Sequence, residues 1–253
     1  MDRADGLSAL VVVHNEAAQL ARCLERLRFA AELVVVLDRC TDASAAIARD
    51  FGARLVEGGW EREGDRRNTG IAACAGPWIL EVDADERVPE ALAREIALRI
   101  RTSTDDWHDI PVDNYIGDHL VRCGWGASFG KSAYAGLFRQ GAKVWGAERV
   151  HPRLRFTGRK GAPLIQRLDH LVDRNISDML RRLDRYSTAH ARDLREAGEI
   201  GSYGHNVRRM ASRFWKCYIA RRGYREGPYG FLIALCAALY PILSYLKARL
   251  ETE

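Results

Sequence analysis

Over the first hundred residues, continuous apolar runs of strand length alternate with amphipathic stretches. The run at 7–13 (LSALVVV) gives way to polar His14-Asn15-Glu16. Leu20, Cys23, Leu24 and Leu27 then recur at helical spacing and predict an amphipathic helix. A second buried strand is predicted at 33–37 (LVVVL), ending at Asp38. Thr41-Asp42 offers an N-cap to the segment ASAAIARDF, and Gly52 supplies the stop. A short third strand at 53–56 leads into a Gly- and charge-rich loop over 57–65. The pattern next predicts a helix over 68–75, broken by Gly76-Pro77, and a fourth strand over 78–82 that ends in Asp83-Ala84-Asp85-Glu86. Pro89 in a first turn opens a further helix over 90–101.

Strands that are apolar throughout and separated by helices belong in a parallel sheet covered on both faces. Ligands of such sheets bind outside the carboxyl ends of the strands. Here those ends carry His14, Asn15 and Glu16, then Asp38, then Asp83 and Asp85. The expected architecture gathers polar groups from three strands at one crevice.

Beyond residue 102 the pattern is less regular. Residues 103–172 are rich in Trp, Gly and charge, and periodicity alone places no strand there. A helical pattern resumes at Ser177, with Met179, Leu180, Leu183 and Tyr186 on one face and Gly198 at its end. The apolar stretch 231–246 is interrupted by Pro241 and has sixteen residues. That is shorter than the ~20 a membrane-spanning helix needs. Basic residues from Arg208 to Arg225, interleaved with Phe214, Trp215, Tyr218 and Tyr224, precede it. Together these features fit an interfacial membrane anchor, and they also fit a core helix hairpin beside a solvated basic face.

Charge adds to this division. The 253 residues carry a net +5, but residues 1–152 carry −5 and residues 153–225 carry +11. An acidic part followed by a basic one suggests two tasks in one chain. A composition of 47% hydrophobic and 29% charged residues excludes a disordered chain. The six cysteines are scattered without a C-x-x-C pair, so neither a zinc ribbon nor a disulfide framework is predicted. With no signal-peptide pattern among the first residues, free thiols in a reducing, cytoplasmic setting are expected.

Within the crevice, Asp83-Ala84-Asp85 is the sharpest local feature. Alternate carboxylates at a strand end suit a hard divalent cation, Mg²⁺ or Mn²⁺, bridging the diphosphate of a nucleotide-linked substrate. The structural alternative is a helix-capping role for Asp85 or Glu86. Asp38 is placed to accept a hydrogen bond from a base N–H or a ribose hydroxyl; a turn or cap role fits Asp42 better. Arg66, Arg67 and Asn68 lie just before a predicted helix, where cations meet phosphate or water. No G-x-G-x-x-G or Walker pattern follows the first strand, which removes the usual support for NAD and P-loop chemistry. The basic segment with its aromatics suggests a nucleic-acid binder as a second class. Acidic strand ends would repel a phosphate backbone, and no nucleic-acid partner is expected.

These residues also form a recognisable set. V-V-V-H-N-E at 11–16, Asp38-x-x-Thr41-Asp42, Arg67-Asn68 and V-D-A-D-E-R at 82–87 resemble the family 2 glycosyltransferases in order and spacing. Gly59-Trp60, Asn114-Tyr115-Ile116-Gly117, Gly124-Trp125, Leu137-Phe138-Arg139 and Val150-His151 point to a subgroup, as do F-W-K-x-Y-I and G-Y-R-E-G-P-Y-G-F later on. That subgroup resembles the lipopolysaccharide-core β-1,4-glucosyltransferases.

The resemblance implies an α/β GT-A fold, a Rossmann-like mostly parallel sheet, with the catalytic domain over 1–172 and a helical, basic, membrane-associating extension over 173–253. It implies a nucleotide-sugar donor, usually a UDP-sugar, a divalent cation (Mg²⁺ or Mn²⁺) and inversion at the anomeric carbon. His14, Asn15 and Glu16 would line the nucleotide pocket, Asp38 would contact the base, and Arg67 would lie near the donor. Asp83 and Asp85 would hold ribose, diphosphate and metal, the metal chiefly through Asp85. The acceptor would be a glycolipid or oligosaccharide, met at the inner face of the cytoplasmic membrane, and a homo-oligomer is open. The subgroup commonly reads Val-His-Glu where this chain has Val150-His151-Pro152. Glu148 is the substitute candidate for the general base, with His151 second and Asp113 or Asp118 behind. Trp60, Trp125 and Trp145 are candidate platforms for a sugar face.

Overall fold

A computed structural model describes residues 3–126, 130–147 and 153–251. It divides into two compact units, Met1–Val112 with Ala133–His170, and Asp113–Ser132 with Leu171–Glu253. The first unit opens β1 (Ala4–Val13), α1 (Ala17–Leu27), β2 (Ala30–Asp38), α2 (Ser44–Asp50), β3 (Arg54–Gly58) and α3 (Glu63–Ala73). It continues with β4 (Trp78–Asp83), β5 (Glu86–Arg87), α4 (Glu90–Thr102) and the start of β6 (Trp107–Ile116). After β7 (His119–Val121), in the second unit, come β8 (Ala133–Arg139), β9 (Lys143–Trp145), β10 (Leu154–Phe156) and β11 (Leu168–Asp173).

The order β3-β2-β1-β4 is parallel throughout. β8 joins β4 antiparallel, and β6 joins β8 antiparallel, so the sheet is mixed beyond the predicted strands. Register brings the strand ends level: Val13 pairs with Leu37, Val12 with Asp83, and Asp38 with Gly58. Pleating sorts the side chains. Ala9, Val11, Val13, Val35, Leu37, Leu80 and Val82 enter the core shared with α1 and α4. Leu10, Val12, Val34, Val36 and Ile79 enter the one on the α3 side. By the same alternation Asp38, Glu81 and Asp83 point to the α3 face.

α3 begins at Glu63, five residues before the predicted start, so Arg66 and Arg67 lie inside the helix rather than ahead of it. Glu63 and Asp65 in its first turn favour that start by opposing the helix dipole. Gly70 lets this helix lie close on the sheet, because a Cβ there would sit 2.6 Å from a Leu10 methyl and 2.7 Å from a Val36 methyl.

The second unit pairs β7 with the end of β6. Its helices are α5 (Ile176–Glu196), α6 (Tyr203–Trp215) and α7 (Gly227–Leu250); a π-helical turn, Lys216–Ala220, and a 3₁₀ turn, Gly223–Glu226, join the last two. Met179 and Leu183 of α5 meet Ile233, Cys236, Ala237 and Tyr240 of α7 in its core. Two sequence expectations need correction. Leu180 is 48% exposed, because the inward stripe of α5 runs through Met179, Leu183, Ser187 and Ala191. The apolar C-terminal stretch is part of one 24-residue helix that continues through Pro241, so it is longer than the sixteen apolar residues alone.

A Gly70→Ala substitution is expected to cost about 1–3 kcal/mol through overpacking, read as a lower urea midpoint with an unchanged slope.

Candidate functional site

The level carboxyl ends of β1, β2 and β4 in the first unit carry the candidate residues. His14 Nδ1 lies 2.6 Å from the Asp38 carbonyl oxygen. Asn15 takes a left-handed backbone, φ 58°, a conformation that asparagine tolerates better than most residues. Its Oδ1 accepts the Thr41 N–H at 2.8 Å and the Asp42 N–H at 3.3 Å. Asp42 returns the tie, accepting the Ala17 N–H at 2.9 Å and the Ser44 N–H at 3.0 Å. The Glu16 N–H donates to Ser44 Oγ at 3.1 Å. The two loops are thus sewn together by the residues of the V-V-V-H-N-E and Asp38-x-x-Thr41-Asp42 motifs.

Asp38 is only 1% exposed. Its carboxylate accepts from Arg39 Nε at 3.1 Å, Arg66 at 3.0 Å and the Trp60 N–H at 3.1 Å. Burial alone would push this carboxyl up, but the hydrogen bonds from Arg39, Trp60 and Arg66 hold it below the usual carboxylate range.

Beneath Asp83 lies a buried charge network. Arg67 donates to Glu63 at 2.9 Å, to Glu81 at 2.7 Å and to Asp83 at 3.0 Å. Glu81 also accepts from Lys143 at 2.7 Å, and both of those side chains are almost fully buried. Burial opposes ionisation of Glu81, but the charges of Lys143 and Arg67 outweigh it and keep the carboxylate ionised. Burial likewise opposes the Arg67 charge, which Asp83, Glu81 and Glu63 secure. Arg67 and Lys143 also stack on the Trp145 ring, 4.7 and 4.9 Å from its centroid.

Asp83 and Asp85 are about one-third exposed and reach the crevice. The Asp83 N–H donates to Glu86 at 2.9 Å, and α4 follows Pro89 at its N-cap position with no side-chain cap, so neither Asp85 nor Glu86 caps it. β11 pairs with β5, matching His170 to Glu86, and this sets His170 Nε2 3.4 Å from Asp85. Sequence reasoning missed His170 because it lies in the stretch where no strand was placed. It missed Lys143 for the same reason. Glu81 carried a signal: one carboxylate inside an apolar strand requires a buried cation. Among the described residues no group of three or more His, Cys, Asp or Glu is assembled to hold a metal ion.

Other expectations fare differently. Trp125 is a core residue whose Nε1 donates to the Val121 carbonyl at 2.6 Å, so it offers no sugar platform. Cations cover Trp145, as described. Asp113 is buried, with Arg122 at 3.5 Å, and Asp118 lines a cavity of about 670 Å³ in the second unit. Glu148 and His151 lie outside the described residues. All six cysteines are free thiols.

A parallel sheet with acidic groups at its level strand ends, continued by antiparallel strands, is a GT-A-like architecture. Residues 8–119, a little under half of the chain, match the family described as Glycosyl transferase family 2. The chain is similar to the lipopolysaccharide core biosynthesis glycosyltransferase LpsC of Rhizobium meliloti (strain 1021), 24% identical over 95% of this chain and 91% of that one. It is likewise similar to the uncharacterized glycosyltransferase RP128 of Rickettsia prowazekii (strain Madrid E), 23% identical over 96% of this chain and 86% of the relative. The crystal structure of S. aureus TarS 1-349 in complex with UDP shares the fold with a TM-score of 0.50 at 14% identity. That match covers 74% of this chain and 65% of the TarS chain, just under two thirds.

Replacing Lys143 with Met leaves Glu81 buried beside fewer cations and is expected to cost about 3–5 kcal/mol. The double variant Lys143→Met, Glu81→Gln is expected to lose less than the sum of the single losses in denaturant titrations. Asp38 gives a pH dependence. Its depressed folded pKa contributes stability that is complete above the unfolded value of about 3.9. That contribution is lost as pH falls through the lower folded value. Asp38→Asn should flatten this acid limb in melts taken from pH 7 downward.

Proposed function

We propose that the chain moves a hexosyl group, with inversion, from a UDP-sugar to a glycolipid or lipopolysaccharide-core acceptor at the cytoplasmic membrane face. The observation that carries this reading is the pair Asp83 and Asp85 at the level strand ends, about one-third exposed above a buried charge network. The lipopolysaccharide core biosynthesis role of LpsC and the UDP bound by TarS support the acceptor class and the donor class.

Asp38 would face the base, with Arg39 and Arg66 setting its geometry, while His14, Asn15 and Glu16 shape the pocket wall. Because Arg67 is already shared among three carboxylates, its role is to fix Asp83 beside the donor. The carboxylates of Asp83 and Asp85 are hard oxygen donors of the kind that Mg²⁺ or Mn²⁺ takes. Asp85, with Asp83, would hold that ion against the donor diphosphate. When bound, it would neutralise charge developing on the departing nucleoside diphosphate. The acceptor hydroxyl attacks the anomeric carbon from the face opposite the leaving group, and its proton passes to a carboxylate or imidazole base. Glu148 is the first assignment for that base and His151 the second. The crevice aligns the two reactants and so removes much of the entropic barrier.

UDP with Mn²⁺ is expected to raise the melting temperature. A ligand at a hundred times its Kd adds about 2.7 kcal/mol. Asp85→Ala is expected to abolish the metal-dependent part of the shift and to lower transfer by roughly 10²-fold or more. A cooperative melt unmoved by every nucleotide would overturn the donor assignment, and binding without transfer or donor hydrolysis would favour a non-catalytic nucleotide-sugar-binding protein.

A further inference from the structure

We propose that the elbow joining α6 to α7 is a docking face for a bilayer with anionic headgroups, which the chain meets without crossing. Five of the thirteen large apolar side chains exposed among the described residues fall within this short stretch. They are Trp215, Ile219, Tyr224, Phe231 and Leu235, and Trp215 is 64% exposed. Trp215 and Ile219 stand one turn apart along α6 and the π-helical turn, and Phe231 and Leu235 one turn apart on α7, so each pair shares a face.

Ring contacts bridge the two helices through Phe214 and Tyr218, the sequence neighbours of Trp215 and Ile219. Phe231 lies edge-on to Phe214 at 5.8 Å and to Tyr218 at 6.1 Å, and Tyr218 meets Tyr224 at 6.5 Å. A contiguous exposed apolar patch marks an interaction surface, whereas scattered exposed residues do not.

Charge selects the partner. Residues 200–225 contain seven Arg or Lys and no Asp or Glu. Lys216, Arg222 and Arg225 are exposed beside the aromatic groups. Aromatic and aliphatic side chains set among cations match the boundary between acyl chains and anionic headgroups. A second copy of this chain fits less well, because a two-fold contact would lay the basic patch upon itself.

A spanning role for α7 is disfavoured by its own packing. Its most apolar stretch has a mean hydropathy of 1.8, but 61% of that stretch is buried inside the protein. Its last turns carry Lys247, which is bound to Asp184 of α5 at 2.6 Å. The side of α7 bearing Phe231 and Leu235 is the part available to lipid.

The experiment is co-sedimentation of the full chain, without nucleotide, with vesicles of phosphatidylcholine alone or mixed with phosphatidylglycerol. Binding is expected to the mixed vesicles only and to fall with added salt. A basic residue near such a surface contributes about fivefold in partitioning, so Lys216→Gln with Arg222→Gln should lose roughly 25-fold. Brominated acyl chains should quench the wild type more than Trp215→Phe, and Trp215→Ser with Ile219→Ser should release the protein. Thermal melts of each variant check that it is folded. The proposal is overturned by equal binding to neutral vesicles, by folded variants that bind like wild type, or by a dimer that hides Trp215 without vesicles. Displacement from vesicles by nucleic acid at matched ionic strength would overturn it too. The inference deepens the glycolipid reading above, yet the two fail separately, since UDP binding is measured without vesicles and vesicle binding without UDP.

Discussion

The Glu81 carboxylate is the constraint around which the first unit is built. An acid in the interior of a sheet covered on both faces must be neutralised where it stands, and Lys143 and Arg67 do so at its two separate oxygens. Removing one partner of such a buried pair costs several times what an exposed pair is worth, about 3–5 against 0–1 kcal/mol. The network therefore fixes α3, β4 and β9 relative to one another. It also determines which way Asp83 faces, because the guanidinium that neutralises Glu81 reaches Asp83 with its other nitrogen. Rigidity at the crevice follows from charge satisfaction below it, and an aligned reaction site requires that kind of rigidity.

The acidic residues at the strand ends divide by environment. Asp38 is enclosed by two arginines and a backbone N–H, so it presents an organised hydrogen-bonding surface instead of an open negative charge. Asp85 has His170 beside it and keeps access to the crevice. The first setting suits recognition of a neutral base, the second a cation-bridged diphosphate. The chemistry of each acid is set by its surroundings, although the residue type is the same.

Much of this was legible in the sequence where the signal was local. β1, β2 and β4 announce themselves as apolar runs, and the residues at their ends converge because parallel register leaves no other place for them. The amphipathic spacing of Leu20, Cys23, Leu24 and Leu27 is matched residue for residue by the buried face of α1. The start of α3 was misplaced because a Gly- and charge-rich segment reads as loop, whereas its acids favour a helix N-terminus. His170 and Lys143 were illegible because their meaning comes from strand pairing across long separations. Trp125 misled because an aromatic ring in sequence does not disclose which of its faces is covered.

Arg66 and Arg67 are consecutive on α3, and a helix turns about 100° between neighbours. One guanidinium therefore serves Asp38 at the end of β2, while the next serves Glu81 and Asp83 on β4. Divergence in such a protein is tied to this geometry. A single-residue insertion or deletion early in α3 would withdraw both arginines together, and neither half of the crevice can be retuned by sliding the helix without disturbing the other. Lineages that alter the donor pocket are left with substitutions at fixed length, and most of the variation in helix length must collect elsewhere in the chain.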